Sequence, residues 1–235
     1  MKTQTTKSAS QGITRETTLL EKGSPATLLW SAKERAIAIP RTRSRSAGFA
    51  GLSLAAARAG WPLVLRSSGG GAVPQGPGTL NLAMIAPMPK GATIQDGYRL
   101  ICGAISEALT GFGIASDTGS IDAAFCDGDW NVTARGLKLA GTAQRWRPAG
   151  QGRSLALIHA AIIATHPPAS VWPVLERVET QAGGITPPRP EMHVSLDDLL
   201  PDGTPPGAFQ DAVMRAANDR IAGLAEQAAA KGPAA

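Results

Sequence analysis

Two side chains near the middle of the sequence are suited to acyl chemistry. Cys126 lies in the segment 125–132, at a turn before a predicted hairpin, and Lys138 stands early on the return strand. A lysine beside a thiol favours the thiolate, which is the form that attacks acyl groups. The pair therefore indicates a nucleophile and its activating cation, while an unreactive cysteine in a turn is the alternative.

A glycine-rich loop directly after an apolar strand is the second candidate. It comprises Arg66, Ser67, Ser68, Gly69, Gly70, Gly71, Ala72 and Val73. Three consecutive glycines allow the backbone to approach a ligand and to direct several N–H groups at one anionic or carbonyl group. Arg66 would supply a matching positive charge. The loop is not a nucleotide-binding P-loop, because no Gly-Lys-Ser/Thr follows it. A flexible surface loop is the alternative.

The third candidate is a single histidine, His159, in the middle of an apolar strand. Such a histidine is often a hydrogen-bonded core residue, and a role as ligand-binding group or base is the alternative. Small residues at positions 140, 141 and 143 leave room for a ligand along the strand that carries the lysine.

The second cysteine, Cys102, lies beside the apolar stripe of a predicted helix, which indicates a buried structural thiol.

Alternating strands and helices must position these candidates. Apolar runs bounded by turn residues predict strands at 27–30, 36–40, 62–65, 80–86 and 154–165. Alternation about an Arg-Gly turn predicts a hairpin of 130–134 and 137–146. Helical spacing predicts helices at 50–59, 96–111, 169–182 and 208–230, with Asp96 as the cap of the second. This order predicts an α/β fold, a mixed β-sheet with packed helices.

The two ends of the chain are predicted to differ from its centre. Residues 1–20 are polar and rich in threonine and serine, which indicates an N-terminal arm that frays. Residues 21–184 form the predicted domain that holds all three candidates. Residues 185–235 are predicted to be a proline-rich linker and a C-terminal helix packed on that domain. The apolar face of this helix is formed by Phe209, Val213, Ala217, Ile221 and Leu224.

Composition restricts the class of protein. Hydrophobic residues make up 43% and charged residues 17% of the chain, which predicts a soluble globular protein. The net charge is +5, but the basic residues are not interleaved with stacking aromatics, so no nucleic-acid partner is expected. Two cysteines make no disulfide framework, and neither an apolar leader nor a long apolar run occurs. These features predict a cytoplasmic protein without a membrane span.

In this order and spacing, the three segments resemble the biotin/lipoate A/B protein ligase family, which contains lipoate–protein ligases and octanoyltransferases. The first shared motif is Arg66, the Ser-Gly-Gly-Gly-Ala-Val loop and a downstream Asn81. The second is a Gly-x-Lys-hydrophobic-x-Gly-x-Ala-Gln strand, matched over 136–144, and the third is a strand that contains His159. The resemblance covers residues 27–165 and, more weakly, the C-terminal helix.

The resemblance implies a mixed-sheet domain in which the glycine loop and the lysine strand wall a tunnel for an acyl chain. It implies that Lys138 contacts the acyl carbonyl and that no metal is part of the site. The pocket residues that it implies are Arg66, Ser68, Gly69, Gly70, Gly71, Ala72, Val73, Asn81, Gly141, Thr142, Ala143 and His159.

The cysteine segment is most similar to the amidotransferase branch of this family. In that branch an acyl thioester on the cysteine, here Cys126, replaces activation by ATP, so transfer needs no cofactor. The implied reaction moves an octanoyl or lipoyl group onto a lysine of a lipoyl-domain protein. The implied partners are the glycine-cleavage H protein and the E2 subunits of 2-oxoacid dehydrogenases, or an acyl carrier protein.

Two other functions are compatible with the same motifs. One is an ATP-dependent lipoate–protein ligase, which would use ATP and Mg. The other is a non-catalytic, acyl-binding relative, because Pro74, Gln75 and Gly76 stand where the family has Tyr-His-Asp. Two further departures are Ala160 in place of a glycine after the histidine, and the absence of the family's usual N-terminal helix pattern from residues 9–20.

Overall fold

A computed structural model describes residues 3–183 and 186–230, and a seven-stranded sheet lies at its centre. The described strands are β1 (Gln4–Thr6), β2 (Ala26–Ala32), β3 (Ala36–Pro40), β4 (Leu63–Arg66), β5 (Val73–Gln75), β6 (Thr79–Met88), β7 (Asp117–Thr118), β8 (Val132–Ala134), β9 (Leu137–Pro148) and β10 (Ser154–Ile163). The described α-helices are α1 (Ala9–Lys22), α2 (Phe49–Arg58), α3 (Ile94–Thr110), α4 (Trp172–Gln181), α5 (Leu196–Leu199) and α6 (Ala208–Ala230). Short 3-10 helices cover Arg41–Arg45, Ala169–Val171 and Pro190–Met192.

The large sheet has the order β1-β2-β6-β10-β9-β8-β7, and the small sheet has the order β4-β3-β5. β1 runs parallel to β2, and the other neighbours in the large sheet are antiparallel. In the small sheet β3 is parallel to β4 and antiparallel to β5. The architecture is therefore the mixed sheet with packed helices that the sequence predicts.

Four central strands form the floor of the candidate site. His159 pairs with Ala83 on one side and Ala143 on the other, and Ala161 pairs with Asn81 and Gly141 in the same way. Residues two apart on a strand point to the same face, so these side chains share one surface. From β2 to β9 this surface crosses three inter-strand steps, or about 14 Å.

Helices cover both faces of the large sheet. α3 and α6 pack on one face, where apolar residues of β6, β9 and β10 complete the largest core cluster. α1 packs on the other face, the one that carries His159. As predicted, the apolar stripe of α6 faces inward, since Phe209, Val213, Ala217 and Ile221 are buried. Within the described residues, no helix is long and apolar enough to cross a membrane.

The prediction of a frayed N-terminal arm is wrong, because β1 and α1 are ordered parts of the fold. Ala9, Glu16 and Leu20 are buried, and Gly12 lets the helix lie directly against the indole ring of Trp30. The polar composition of residues 1–20 belongs to the outer face of α1. A helix needs only a narrow inward stripe, which here includes a glycine and a buried carboxylate, so composition alone concealed it.

Two smaller predictions change in detail. Asp96 is not the cap of α3: Thr93 is the N-cap, and the Asp96 carboxylate completes a capping box by accepting from the Thr93 backbone N–H at 2.8 Å. The proline-rich segment includes Ile185, which lies outside the described residues. After the prolines the chain returns to the sheet, where the Val194 N–H donates to the Lys138 carbonyl at 3.0 Å. The division at residues 184 and 185 stays a prediction.

Candidate active site

Cys126 occupies an unusual backbone position at the end of a tight turn. Its φ is 48°, in the left-handed region that residues other than glycine rarely adopt, and Ala123 nearby has a φ of 60°. Such conformations cost of order 1–3 kcal/mol each and persist where the surroundings enforce them. The Asp127 carboxylate helps to hold the turn by accepting from the Ile121 N–H at 2.8 Å and the Asn131 amide at 2.6 Å.

Lys138 holds this turn by hydrogen bonds to its backbone. Its Nζ donates to the carbonyl oxygens of Phe125 at 2.6 Å and Cys126 at 2.7 Å, and the side chain is fully buried. Burial lowers the pKa of Lys138 to about 8, although the charges of Cys126 and Asp127 oppose the change. In this structure the lysine therefore contacts the peptide carbonyls of the cysteine turn. Its predicted contact with an acyl carbonyl stays a prediction.

His193 supports the same turn from the segment that the sequence marks as a linker. Its Nε2 accepts from the Phe125 N–H at 3.2 Å, and Nδ1 donates to the Arg189 carbonyl at 2.9 Å. The imidazole stacks on the Phe125 ring, with centroids 4.4 Å apart. Burial, followed by the charge of Lys138, lowers the pKa of His193 to about 4, so the ring is neutral at pH 7. Sequence reasoning missed this residue.

The glycine loop contacts the sulfur of Cys126. The Gly71 N–H donates to the Cys126 Sγ at 3.0 Å, and Gly70 also lies against the sulfur. Arg66 shapes the loop, because its guanidinium donates to the carbonyl oxygens of Gly69 at 2.8 Å and Gly71 at 2.6 Å. The loop thus positions a hydrogen-bond donor at the predicted nucleophile.

Glu179 on α4 holds the glycine loop at Ala72 and forms an ion pair with Arg43. One oxygen of Glu179 accepts from the Ala72 N–H at 2.5 Å, and the other pairs with Arg43 at 3.0 Å. These contacts join the loop to the 3-10 helix after β3. Glu179 was not among the predicted site residues, because nothing in its local sequence marks it.

We expect Gly71→Ala to disable the site without unfolding the protein. The φ of Gly71 is not positive, so its backbone conformation is open to any residue. An alanine Cβ would, however, lie 2.8 Å from the Cys126 Cα and 2.9 Å from Glu179 Oε1. The cysteine turn must then move away from its N–H donor, and a shift of about 1 Å is enough to reduce a rate by about 10²-fold. Acyl loading of Cys126 measures the effect.

Gly119→Ala is the matched control, since a Cβ at Gly119 meets no atom within 4 Å and its φ is not positive. It should load at the normal rate. Normal loading of Gly71→Ala would show that close contact with the loop is unnecessary.

An inner cavity lies between the loop, the sheet floor and α1, with about 430 Å³ of unfilled space counting the part open to solvent. The predicted residues that line it are Arg66, Val73, Asn81, Cys126, Gly141, Thr142, Ala143 and His159. Most of the remaining wall is apolar, and Ile13, Glu16 and Trp30 lie among its lining residues.

An outer cavity adjoins the inner one and shares three lining residues with it, Cys126, Thr142 and Ala143. Gly69 and Gly70 line this outer cavity, together with Asp127, Asp129 and Trp130. The predicted pocket residues Ser68, Gly71 and Ala72 support the walls and are not among the lining residues of either cavity. Cys126 therefore stands where a largely apolar chamber meets a more polar one.

His159 is hydrogen-bonded at both ring nitrogens. Nδ1 lies 2.8 Å from Glu16 Oε2, and Nε2 lies 2.8 Å from Ser68 Oγ. The second oxygen of Glu16 accepts from the Trp30 indole N–H at 2.8 Å. Glu16 was missed because residues 1–20 were read as an arm. The chain of contacts links α1, the sheet floor and the glycine loop.

Comparison of the chain with models of protein families gives a match. The model of the lipoyl protein ligase A/B catalytic domain matches residues 14–217. The chain belongs to this family. The match begins inside α1 and ends inside α6.

Relatives in the lipoyl ligase family agree with the match. An uncharacterized protein of Cupriavidus necator is 35% identical over 167 residues, which cover 65% of each chain. An octanoyl-[GcvH]:protein N-octanoyltransferase of Kyrpidia tusciae is 33% identical over 149 residues, covering 61% of this chain and 51% of that one. The aligned part thus spans less than two thirds of either relative.

Solved structures confirm the predicted α/β fold class of this lipoyl ligase domain. A crystal structure of lipoate-protein ligase A bound with ATP has a TM-score of 0.70 at 16% identity, covering 94% of this chain and 84% of that one. A Thermoplasma acidophilum protein with bound lipoic acid also has a TM-score of 0.70, at 17% identity, covering 93% and 84%. At these identities the likeness concerns the fold alone.

Proposed function

We propose that this protein transfers an octanoyl or lipoyl group to a lysine of a lipoyl-domain protein through a thioester on Cys126. The observation that carries the proposal is the position of the Cys126 sulfur at the junction of the two cavities, with the Gly71 N–H directed at it from 3.0 Å. The inner cavity offers an apolar chamber for the acyl chain. The outer cavity offers a polar approach for the lysine.

The apolar floor of the inner cavity is the proposed place of a medium-length acyl chain. Three backbone bonds span at most about 3.3–3.6 Å, so an extended eight-carbon chain is about 8 Å long. The sheet floor from β9, beneath Cys126, to β2 at Trp30 is about 14 Å wide, so a chain whose carbonyl lies near the sulfur would run along this floor toward Trp30. Trp30, Ile13 and Ala161 would contact the distal carbons.

The reaction proceeds in two acyl transfers. The thiolate of Cys126 adds to the carbonyl of an acyl-lysine amide, the C–N bond breaks, and the donor lysine takes up a proton and leaves as an amine. The acceptor lysine, as a free amine, then adds to the thioester, the C–S bond breaks, the nitrogen gives up one proton, and the thiolate returns. The thioester conserves the energy of the acyl bond, so this route requires no ATP.

The names of the relatives supply the proposed partners. The Kyrpidia tusciae relative and another from Geobacillus kaustophilus are octanoyl-[GcvH]:protein N-octanoyltransferases. A further relative from Listeria monocytogenes is a lipoyl-[GcvH]:protein N-lipoyltransferase. We therefore propose the H protein as donor and a lipoyl domain as acceptor. An acyl carrier protein is the alternative donor.

The proposal is tested by incubating the purified protein with octanoylated H protein in the absence of ATP. We expect a mass increase of one octanoyl group that hydroxylamine removes, and peptide mapping should locate it on Cys126 and not on Cys102. An apo lipoyl domain added next should accept the group. Acylation that requires ATP and leaves no thioester would instead identify a ligase. Binding of octanoate without any transfer would identify a non-catalytic relative.

A further inference from the structure

The outer cavity, by which the lysine of the proposed transfer reaches Cys126, has the character of a site for a lysine side chain. Among the described residues that line it, two are acidic, Asp127 and Asp129, and none is basic. Acidic walls attract a cationic side chain and repel anions. The rings of Tyr98 and Trp130 also line the cavity and stack with centroids 5.4 Å apart. Their apolar surface suits the methylene groups of a lysine, whose polar end needs polar surroundings.

Asn131 lines the same cavity, although it is only 2% exposed. Its amide Nδ2 donates to Asp127 Oδ1 at 2.6 Å, and the same carboxylate oxygen accepts from the Ile121 N–H at 2.8 Å. Because a carboxylate accepts hydrogen bonds, the Asn131 amide must present its nitrogen to Asp127. This contact fixes the orientation of the amide, and the oxygen Oδ1 points away from Asp127.

The Oδ1 oxygen of Asn131 receives no hydrogen bond from the described residues. In the described part of the chain, the fully enclosed side-chain atoms without a partner belong to two arginines, so this oxygen is not enclosed. It lies 3.9 Å from the point where a Cβ of Gly141 would stand, and Lys138 Nζ lies 3.2 Å from the same point. Lys138 Nζ in turn donates to the Cys126 carbonyl at 2.7 Å. A hydrogen-bond acceptor without a donor is therefore available close to the residue that carries the sulfur.

The chemistry of an amide oxygen suits the nitrogen that attacks the thioester. This nitrogen must belong to a free amine, since an ammonium has no lone pair. An amide oxygen accepts one N–H of the amine and leaves the lone pair free for the thioester carbonyl. A carboxylate in the same position would instead stabilise the ammonium. The uncharged side chain of Asn131 thus offers the lysine nitrogen a partner that does not favour its protonated form.

We propose that Asn131 binds the nitrogen of the acceptor lysine through Oδ1 and orients its lone pair toward the thioester on Cys126. The inference rests on the proposed transfer, because it concerns the second of its two steps. Asn131 is the residue that contacts the lysine. Asp127 is a positioning residue, since its contact with Nδ2 leaves Oδ1 available to the cavity.

Comparison of acceptors tests the inference. Cys126 is first loaded with p-nitrophenyl octanoate, and the octanoyl protein is then mixed with an apo lipoyl domain, n-butylamine or 2-mercaptoethanol. n-Butylamine reproduces the lysine side chain, whereas the thiol removes the acyl group through sulfur and presents no N–H. Asn131→Ala should load and react with the thiol at rates close to those of the unchanged protein. Its transfer to both amines should fall by about 10-fold, and intact mass over time measures each rate.

Asn218→Ala is the matched control, since the Asn218 Oδ1 accepts from the Thr27 hydroxyl at 2.6 Å and lines neither cavity. It should react normally with all three acceptors. Equal loss of loading, thiol release and amine transfer in Asn131→Ala would mean that Asn131 only supports the turn, and this would overturn the inference. Normal transfer to both amines would overturn it too. A loss confined to the lipoyl domain would do the same, because it would place the effect in domain docking.

The side-chain amide signals in the NMR spectrum of the unchanged protein give a second measurement, which decides if Asn131→Ala fails to fold. Added n-butylamine should shift the Asn131 amide signal and leave that of Asn218 in place. The absence of a shift at Asn131 would overturn the inference. If the unchanged protein forms no thioester with p-nitrophenyl octanoate or octanoylated H protein, the proposed transferase function itself has failed. The amide signals then decide separately whether the outer cavity binds an amine.

Discussion

Cys126→Ala is expected to abolish the acyl adduct and to lower ATP-free transfer by about 10³-fold or more. The sulfur stands at the junction of the inner and outer cavities, and it accepts the Gly71 N–H at 3.0 Å. Alanine has no group that forms the acyl bond, so the two-step route is lost while the pocket remains. Single-turnover transfer to an apo lipoyl domain, followed by intact mass, measures the loss.

Cys102→Ala is the matched control for this experiment. Cys102 is buried on α3 within the main apolar cluster, and burial raises the pKa of its thiol to about 12, so it is neutral and unreactive at pH 7. The control should keep the adduct and the transfer rate. Transfer that survives in Cys126→Ala and disappears in Cys102→Ala would contradict the assignment of the nucleophile.

Lys138→Met is expected to lower loading of Cys126 by about 10²-fold or more, with p-nitrophenyl octanoate as well as with the H protein. Methionine fills a similar volume but cannot donate to the carbonyls of Phe125 and Cys126, which Lys138 contacts at 2.6 and 2.7 Å. The turn that holds Cys126 in its left-handed conformation then relaxes. Because the sulfur attacks both donors, a displaced sulfur predicts a loss with both.

The exposed lysine Lys90 provides a control, and Lys90→Met should load at the normal rate. Normal loading by a folded Lys138→Met protein would show that the buried lysine does not position the sulfur. A defect confined to the H protein would instead indicate that Lys138 acts on the proton of the leaving amine.

The buried charge of Lys138 also predicts a dependence of stability on pH. Burial lowers the pKa of Lys138 from 10.5 to about 8, so between these values the unfolded chain binds a proton that the folded protein has released. Stability therefore gains a contribution as the pH rises from about 8 to about 10.5. This contribution is absent from Lys138→Met. Denaturant unfolding of both proteins across this range measures the effect. The free energy of unfolding should rise with pH more in the unchanged chain than in Lys138→Met.

The sequence located the parts of the site that have fixed local offsets. The glycine loop, the strand with Lys138 and the cysteine segment each occupy a few consecutive residues, and their residue types reveal their chemistry. His159 and Asn81 followed from the same motifs and both line the inner cavity. The strands and helices that carry them were likewise predicted, because apolar periodicity is a local property.

Sequence reasoning missed the residues that act across long separations. Glu16 reaches His159 over 143 positions, Glu179 reaches Ala72 over 107, and His193 reaches Phe125 over 68. Two of these lie in segments whose composition indicated an arm and a linker. Each is a single polar residue without a neighbouring motif, and its role depends on which surface its element packs against.

By itself, the sequence determined the mixed-sheet fold and the membership of a lipoyl ligase family, and it predicted the residues that bear the chemistry. The tertiary structure alone decided how the predicted pair of Cys126 and Lys138 is arranged. The Lys138 ammonium donates to the backbone carbonyls of the cysteine turn. The His159 ring contacts the Glu16 carboxylate of the first helix, α1. The physical reason is that hydrogen bonds depend on distances of about 3 Å in space, which strand register and helix packing set and which chain spacing does not.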